Sequence, residues 1–444
     1  MVIDRKSIAP GVGSASEQAD GKSRRLRVLV ISQYFWPENF LINDVVEDLQ
    51  EIGCEVTVLT GQPNYPEGRI FAGYSALNLG KSASPGLYDL FRVPVVPRGT
   101  GGLLRVLNYL SFVVSAASVG LFLLRGRRFD VVFVYAVSPI LQALPAILLA
   151  RVKRAALVVW VQDLWPDTLK STGYVTNERI LSWVGGVTRY IYRRCDLILA
   201  QSVGFVAKIR NLAASAVPVE VHYNPSQREP SVADESNDVP KLPEGFSVVF
   251  AGNLGVAQSL ETVLDAAELV AGIECKFVIV GSGSRSEWLV AEVAHRNLSN
   301  VHVLGRFPSQ SMPAIFDQAS ALLVTLARSE NLALTIPSKV PAYFAAGKPI
   351  IACLDGEAAE MVKNSGAGLA VPAEDGLALA SAIGHLMALP EEARTEMGRA
   401  GRRYYQEFFA PWRLAHSLKR HLEETVQRRK KARTAGNAAD GESK

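Results

Sequence analysis

Short, predominantly apolar segments recur along the chain, most of them without regular polar alternation: RVLVIS at 27–32, EVTVLT at 55–60, then segments at 87–93, 131–135, 157–161, 197–200 and 219–222. Between them lie stretches with helical spacing, such as 41–52, which stops at Gly53. A strand that buries both faces does not alternate, so the pattern predicts a parallel sheet covered by helices on both sides. At 224–245 (NPSQREPSVADESNDVPKLPEG) the composition turns polar and proline-rich, which marks a domain boundary. The alternation then restarts with SVVFAG, a helix over 258–270, KFVIVG, a helix from Ser286, VHVLG, a helix from Pro308 and ALLVTL. A short helix, a strand at 350–353 and a last strand at 368–371 complete it. The prediction is an α/β chain of two doubly wound, Rossmann-like domains, 26–223 and 246–390, whose strand-end loops face one another across a cleft.

The ends of the chain read differently. Residues 1–25 lack the apolar stretch of a signal peptide and are expected to be a disordered leader, and the basic stretch 428–444 a disordered tail. Helices expected at 391–398 and 411–427 bracket or carry Tyr404, Tyr405, Phe408, Phe409 and Trp412. That aromatic load suits packing on the second domain alone or a return across the first.

One stretch of the first domain, 106–124 (VLNYLSFVVSAASVGLFLL), has no charge and approaches bilayer-spanning length. Arg98 and Arg105 precede it, and Arg125, Arg127 and Arg128 follow. Three placements compete: a spanning helix, a buried crossover helix, and a helix that packs on the sheet while its outer face dips into a leaflet. A spanning helix would cut the sheet, and the basic flanks favour the third. Peripheral membrane binding is the expectation. Composition agrees: 48% of residues are hydrophobic and mean hydropathy is +0.14, while a net charge of +4 is too small to argue for nucleic acid. Cys54, Cys195, Cys275 and Cys353 are far apart and sit in apolar runs, as buried thiols of a reducing compartment do. Six histidines without ligand spacing argue against a metal.

Candidate chemistry gathers at strand ends. In TIPSKVPAYFAAGKPIIA (335–352), Ser338 as N-cap places Pro341 at the third helical position, where no donor is needed, and Gly347 ends the helix. Lys339 then lies in the first turn against the helix dipole, either as a solvated lysine or as half of an anion site. GNLG (252–255) and GSG (281–283) end two strands, where glycine lets backbone amides approach a phosphate or sugar and Asn253 offers donor and acceptor. Neither is the dinucleotide fingerprint, and Walker A is absent, so hydride transfer and phosphate-loop chemistry lose ground. Asp355-Gly356-Glu357 reads as a ribose-binding carboxylate or as a turn with a helix-capping Glu. In VQDLWPDTL, Asp163 stands just beyond a buried strand beside Trp165, as a base or hydroxyl anchor for a sugar acceptor; with Asp167 it lacks a third metal ligand.

Taken in order, QYFWPE, LTGQPNYPEG, VQDLWPD, AGNLGVAQ, IPSKVPAYFAAGKPI and LDGEAAE resemble the motifs of bacterial family 4 glycosyltransferases, which have the GT-B fold. The branch resembled is that of colanic-acid and O-antigen glycosyltransferases, including L-fucosamine transferases, and the resemblance spans roughly 27–427. It implies a UDP-sugar donor on the second domain, an undecaprenyl-diphosphate-linked glycan acceptor on the first, and a cytoplasmic enzyme peripheral to the inner membrane. It also implies retention of configuration, with no metal and no cofactor. By motif, Gly252, Asn253 and Gly255 lie against the donor with Gln258 and Gly281 nearby. Ser338 and Lys339 hold the diphosphate, with Arg328 sharing its charge, Glu357 lies near the sugar or ribose, and Asp163 orients the acceptor. The Arg and Lys usual in the glycine-rich loop fall at Asn253 and Gln258, and the usual pair of glutamates at Leu334 and Ala342. The missing glutamates keep open a non-catalytic scaffold of a polysaccharide assembly complex; a sugar-nucleotide epimerase is the other alternative, against which the basic-flanked apolar helix argues.

Overall fold

The computed structural model describes residues 24–171, 175–226 and 239–442; the expected leader and most of the expected linker lie outside the described residues. The first domain is built from β1 (Arg27–Ile31), α1 (Leu41–Glu51), β2 (Glu55–Thr60), β3 (Gly80–Ser82), β4 (Asp89–Arg92), α2 (Gly102–Leu123), β5 (Val131–Ala136), α3 (Ala143–Lys153), β6 (Ala156–Val161), α4 (Asp167–Ser171), α5 (Glu178–Tyr192), β7 (Leu197–Ala200), α6 (Val203–Leu212) and β8 (Val219–Val221). The second holds β9 (Phe246–Asn253), α7 (Leu260–Leu269), β10 (Cys275–Ser282), α8 (Ser286–His295), β11 (Val301–Gly305), α9 (Met312–Asp317), β12 (Ala321–Thr325), α10 (Glu330–Ala333), α11 (Lys339–Ala346), β13 (Ile350–Cys353), α12 (Glu357–Ser365), β14 (Gly368–Val371) and α13 (Gly376–Ala388); α14 (Glu391–Phe408) and α15 (Pro411–Glu442) close the chain.

The first sheet runs β3-β4-β2-β1-β5-β6-β7-β8 and the second β11-β10-β9-β12-β13-β14. Every pairing is parallel except β3 with β4. All six residues of β5 and of β6 are buried, as unalternating runs require. In each sheet the chain reverses direction beside its first strand, between β1 and β5 and between β9 and β12. At such a reversal the flanking connections part, leaving a crevice beyond the strand ends.

Two outcomes differ from the sequence reading. Gly398 does not stop α14; its missing side chain admits Gly347 of α11, whose carbonyl oxygen would lie 2.0 Å from a Cβ there. The expected tail beyond Arg428 is instead the continuation of α15, since that stretch has several Lys, Arg and Ala residues that favour helix and contains no proline. Leu418, Leu422 and Val426 of this helix are buried in the first domain's core, where α15 packs on α1 and β6, and Lys419 donates to Ile52 O at 2.9 Å. The last helix therefore lies on the first domain.

Helix α2 buries only the stripe Asn108, Phe112, Ala116 and Gly120. Its other face exposes Leu103, Val106, Leu110, Val114 and Phe122. By length and mean hydropathy (1.9) it would suffice to cross a membrane, but its stripe packs on the sheet: a Cβ on Gly120 would meet Leu59 at 2.8 Å.

Candidate active site

On the second domain the β9–β12 reversal brings together most of the residues singled out above. Gly252 ends β9 with φ +136°, and a side chain there would collide with Lys339 Cε at 2.6 Å; glycine makes room for the lysine. At Gly281 (φ +148°) a Cβ would lie 1.8 Å from Gly252 O, so this glycine serves the close approach of two strand ends. Gln258 follows the loop, its carbonyl taken by the Thr325 hydroxyl. Asn253 is exposed beside Gly255.

Ser338 is the N-cap of α11 and Pro341 its third residue, as the spacing predicts, but the serine hydroxyl makes no capping bond and is exposed. Lys339 points across to β9. Its Nζ donates to Gln258 Oε1 at 2.5 Å and lies 3.6 Å from the Phe250 ring centroid. No carboxylate pairs with it among the described residues. Burial pulls its pKa down to about 7. A largely desolvated cation facing one neutral acceptor and an aromatic face has the chemistry that suits an anion.

Three expected site residues are engaged elsewhere. Glu357 does not face this group: its oxygens accept from Val203 N (3.0 Å) and Gly204 N (2.8 Å), the first amides of α6 in the opposite domain. Those amides are unpaired in the helix and positive, so they outcompete water for the carboxylate. Arg328 donates to Ala373 O (2.8 Å) and lies 3.9 Å from the Asp355 carboxylate. Asp163 accepts both the amide (2.9 Å) and hydroxyl (2.8 Å) of Ser138 on one oxygen, and Trp165 donates to the same hydroxyl. It braces the loops after β5 and β6. Leu334 packs on the first domain's core, and the hydroxyl of Ser202 donates to its carbonyl oxygen at 2.6 Å. A glutamate in that apolar contact would lose its hydration.

Between the domains lies a cavity of about 720 Å³, lined by Leu41, Tyr135 and Gln201 on one side and Gly252, Ser338 and Lys339 on the other. Its first-domain neighbourhood carries a network that the motifs QYFWPE and LTGQPNYPEG signalled without resolving residue by residue. Glu38, 3% exposed, accepts from the amides of Phe35 (3.1 Å), Asn64 (2.7 Å) and Tyr65 (2.7 Å), which clips the loops after β1 and β2 together. Burial raises its pKa to about 7 against the pull of those amides. Asn108, the amide within the apolar helix, accepts from Gln33 Nε2 (2.7 Å) and Tyr34 OH (3.2 Å) and donates to Val96 O (2.6 Å). The lone amide in VLNYLSF was the available signal.

Two facing doubly wound domains with a cation at the reversal of the second make this a GT-B protein. The fold recurs in sucrose-phosphate synthase of Thermosynechococcus elongatus (TM-score 0.66, 16% identity, 90% of this chain and 99% of that one). It recurs also in Anabaena HepE, solved with UDP and glucose (TM-score 0.61, 14% identity, 90% and 100%). Residues 41–225 match the family described as "Glycosyl transferase 4-like domain" and 245–388 that described as "Glycosyl transferases group 1". WcaI of Escherichia coli K12, named for a glycosyl transferase of colanic acid biosynthesis, is 28% identical over 346 residues, 72% of this chain and 82% of that one. The chain belongs to the family 4 glycosyltransferases of the colanic-acid and O-antigen type and serves polysaccharide biosynthesis.

Proposed function

We propose that this glycosyltransferase moves a sugar from a UDP-linked donor in the second domain to a polyprenyl-diphosphate-linked glycan, working at the cytoplasmic face of the inner membrane. The observation that carries the donor half is Lys339, a cation with no carboxylate partner among the described residues, set at the strand reversal where it lines the cavity. Stabilising a leaving diphosphate there needs the ammonium and backbone amides and no metal; such catalysis is electrostatic and positional. HepE, with UDP and glucose in its structure, supports the choice of nucleotide. The donor sugar is assigned as an N-acetylated 6-deoxyhexose, N-acetyl-L-fucosamine or a close relative, transferred with retention.

The membrane half rests on α2, whose apolar outer face lies open between Arg98 and Arg125–Arg128. Leu107→Glu with Leu110→Glu is expected to abolish sedimentation with anionic vesicles at unchanged folding, and binding at wild-type strength would exclude this face. For the reaction, purified protein is screened against nucleotide sugars, N-acetylated 6-deoxyhexoses first, with a polyprenyl-diphosphate glycan in vesicles. Transfer that Lys339→Ala abolishes supports the reading. Equal transfer by that variant refutes the donor site, and a wild type that binds no nucleotide sugar returns the scaffold reading.

A further inference from the structure

The strap between β4 and α2 carries a cation that the donor chemistry leaves unused. Arg98 lies with its guanidinium carbon 4.8 Å from the Tyr65 ring centroid, and no carboxylate pairs with it among the described residues. Its backbone is fixed on both sides: Arg98 N donates to Asn64 Oδ1 at 3.0 Å and Gly99 N to Gly68 O at 2.9 Å. A Cβ on Gly68 would lie 2.4 Å from Gly99 O, so the strap sits directly on the turn after β2. That turn is held by Glu38 through the amides of Asn64 and Tyr65. A cation braced in this way loses little freedom when it takes a ligand.

Its position says which ligand. On one side the first turns of α2 expose Leu103 (75%) and Leu107 (42%). On the other, Tyr65 packs against Phe40 at 5.2 Å between centroids, and the next residue, Leu41, lines the interdomain cavity. We propose that Arg98 takes the diphosphate of the acceptor, at the point where its lipid chain leaves the apolar face of α2 and its sugars enter the cleft. The assignment rests on the acceptor reading given above. A planar guanidinium presents two parallel N–H donors to two phosphate oxygens in a fixed fork, which the rotatable ammonium of a lysine lacks.

The test uses the full chain with phosphatidylcholine vesicles carrying a few mole per cent of polyprenyl diphosphate, against vesicles of equal charge made with phosphatidylglycerol. Wild type is expected to prefer the diphosphate vesicles by about tenfold, Arg98→Gln to lose the preference, and Arg98→Lys to keep part of it. UDP affinity and melting temperature should stay at wild-type values in both variants. A wild type with no preference, or Arg98→Gln with the full preference, overturns the assignment. Arg98-dependent preference in a protein that transfers no sugar upholds it and refutes the transferase acceptor reading instead.

Discussion

Lys339→Gln isolates the charge at the donor site, because glutamine keeps a polar head near Gln258 and Phe250 while removing the ammonium. A charge-assisted bond to a diphosphate contributes about 1.5–3 kcal/mol, so UDP affinity should fall roughly 10- to 150-fold. Proton linkage adds a signature. In the empty site burial holds the lysine near 7; a bound diphosphate favours the ammonium and raises that value. Binding above pH 7 then takes up a proton, and affinity falls by up to tenfold per pH unit until the pKa of the complex is reached. Below about 6 the terminal phosphate itself gains a proton, so the optimum lies between. Titration calorimetry with UDP from pH 6 to 9, in buffers of different ionisation enthalpy, reads both effects. The variant should lose the alkaline limb and the proton uptake. Its stability should not drop, since a lysine with a depressed folded pKa opposes folding below its unfolded value. An unchanged alkaline limb, or a Kd within twofold of wild type, would refute the reasoning.

Glu357→Ala removes the carboxylate that joins α12 to the first amides of α6; a loss of about 1.5–3 kcal/mol and a larger radius of gyration by small-angle scattering are expected. Asn108→Leu leaves two buried donors, Gln33 Nε2 and Tyr34 OH, without this acceptor and removes the bond to Val96 O. Denaturant unfolding should show a loss of about 2–5 kcal/mol, against little change for exposed Leu107→Ala. Gly281→Ala forces a Cβ to 1.8 Å from Gly252 O, at a cost of about 3 kcal/mol or more and with loss of nucleotide binding, whereas Gly272→Ala, with open space around it, should be near neutral by thermal melting.

Much of the architecture was legible in the order of residues. Unalternating apolar runs cannot leave a face in water, so RVLVIS, SVVFAG and KFVIVG, short and β-branched, read as buried parallel strands, and Pro341 fixed where α11 begins. The polar break before Phe246 divided the two domains. Spacing along a chain does not say which way a side chain turns once two domains meet, and there the tertiary structure decided. Glu357 lies one residue beyond a strand-end glycine, yet the open amides of α6 claim it. Leu334 packs on the core of the neighbouring domain, a contact that its place in the sequence does not announce. Lys339 looked like a lysine set against its own helix dipole. Only the meeting of β9 with α11, over a glycine too small to obstruct it, leaves that cation largely buried, with no carboxylate partner among the described residues, and lining the cavity between the domains.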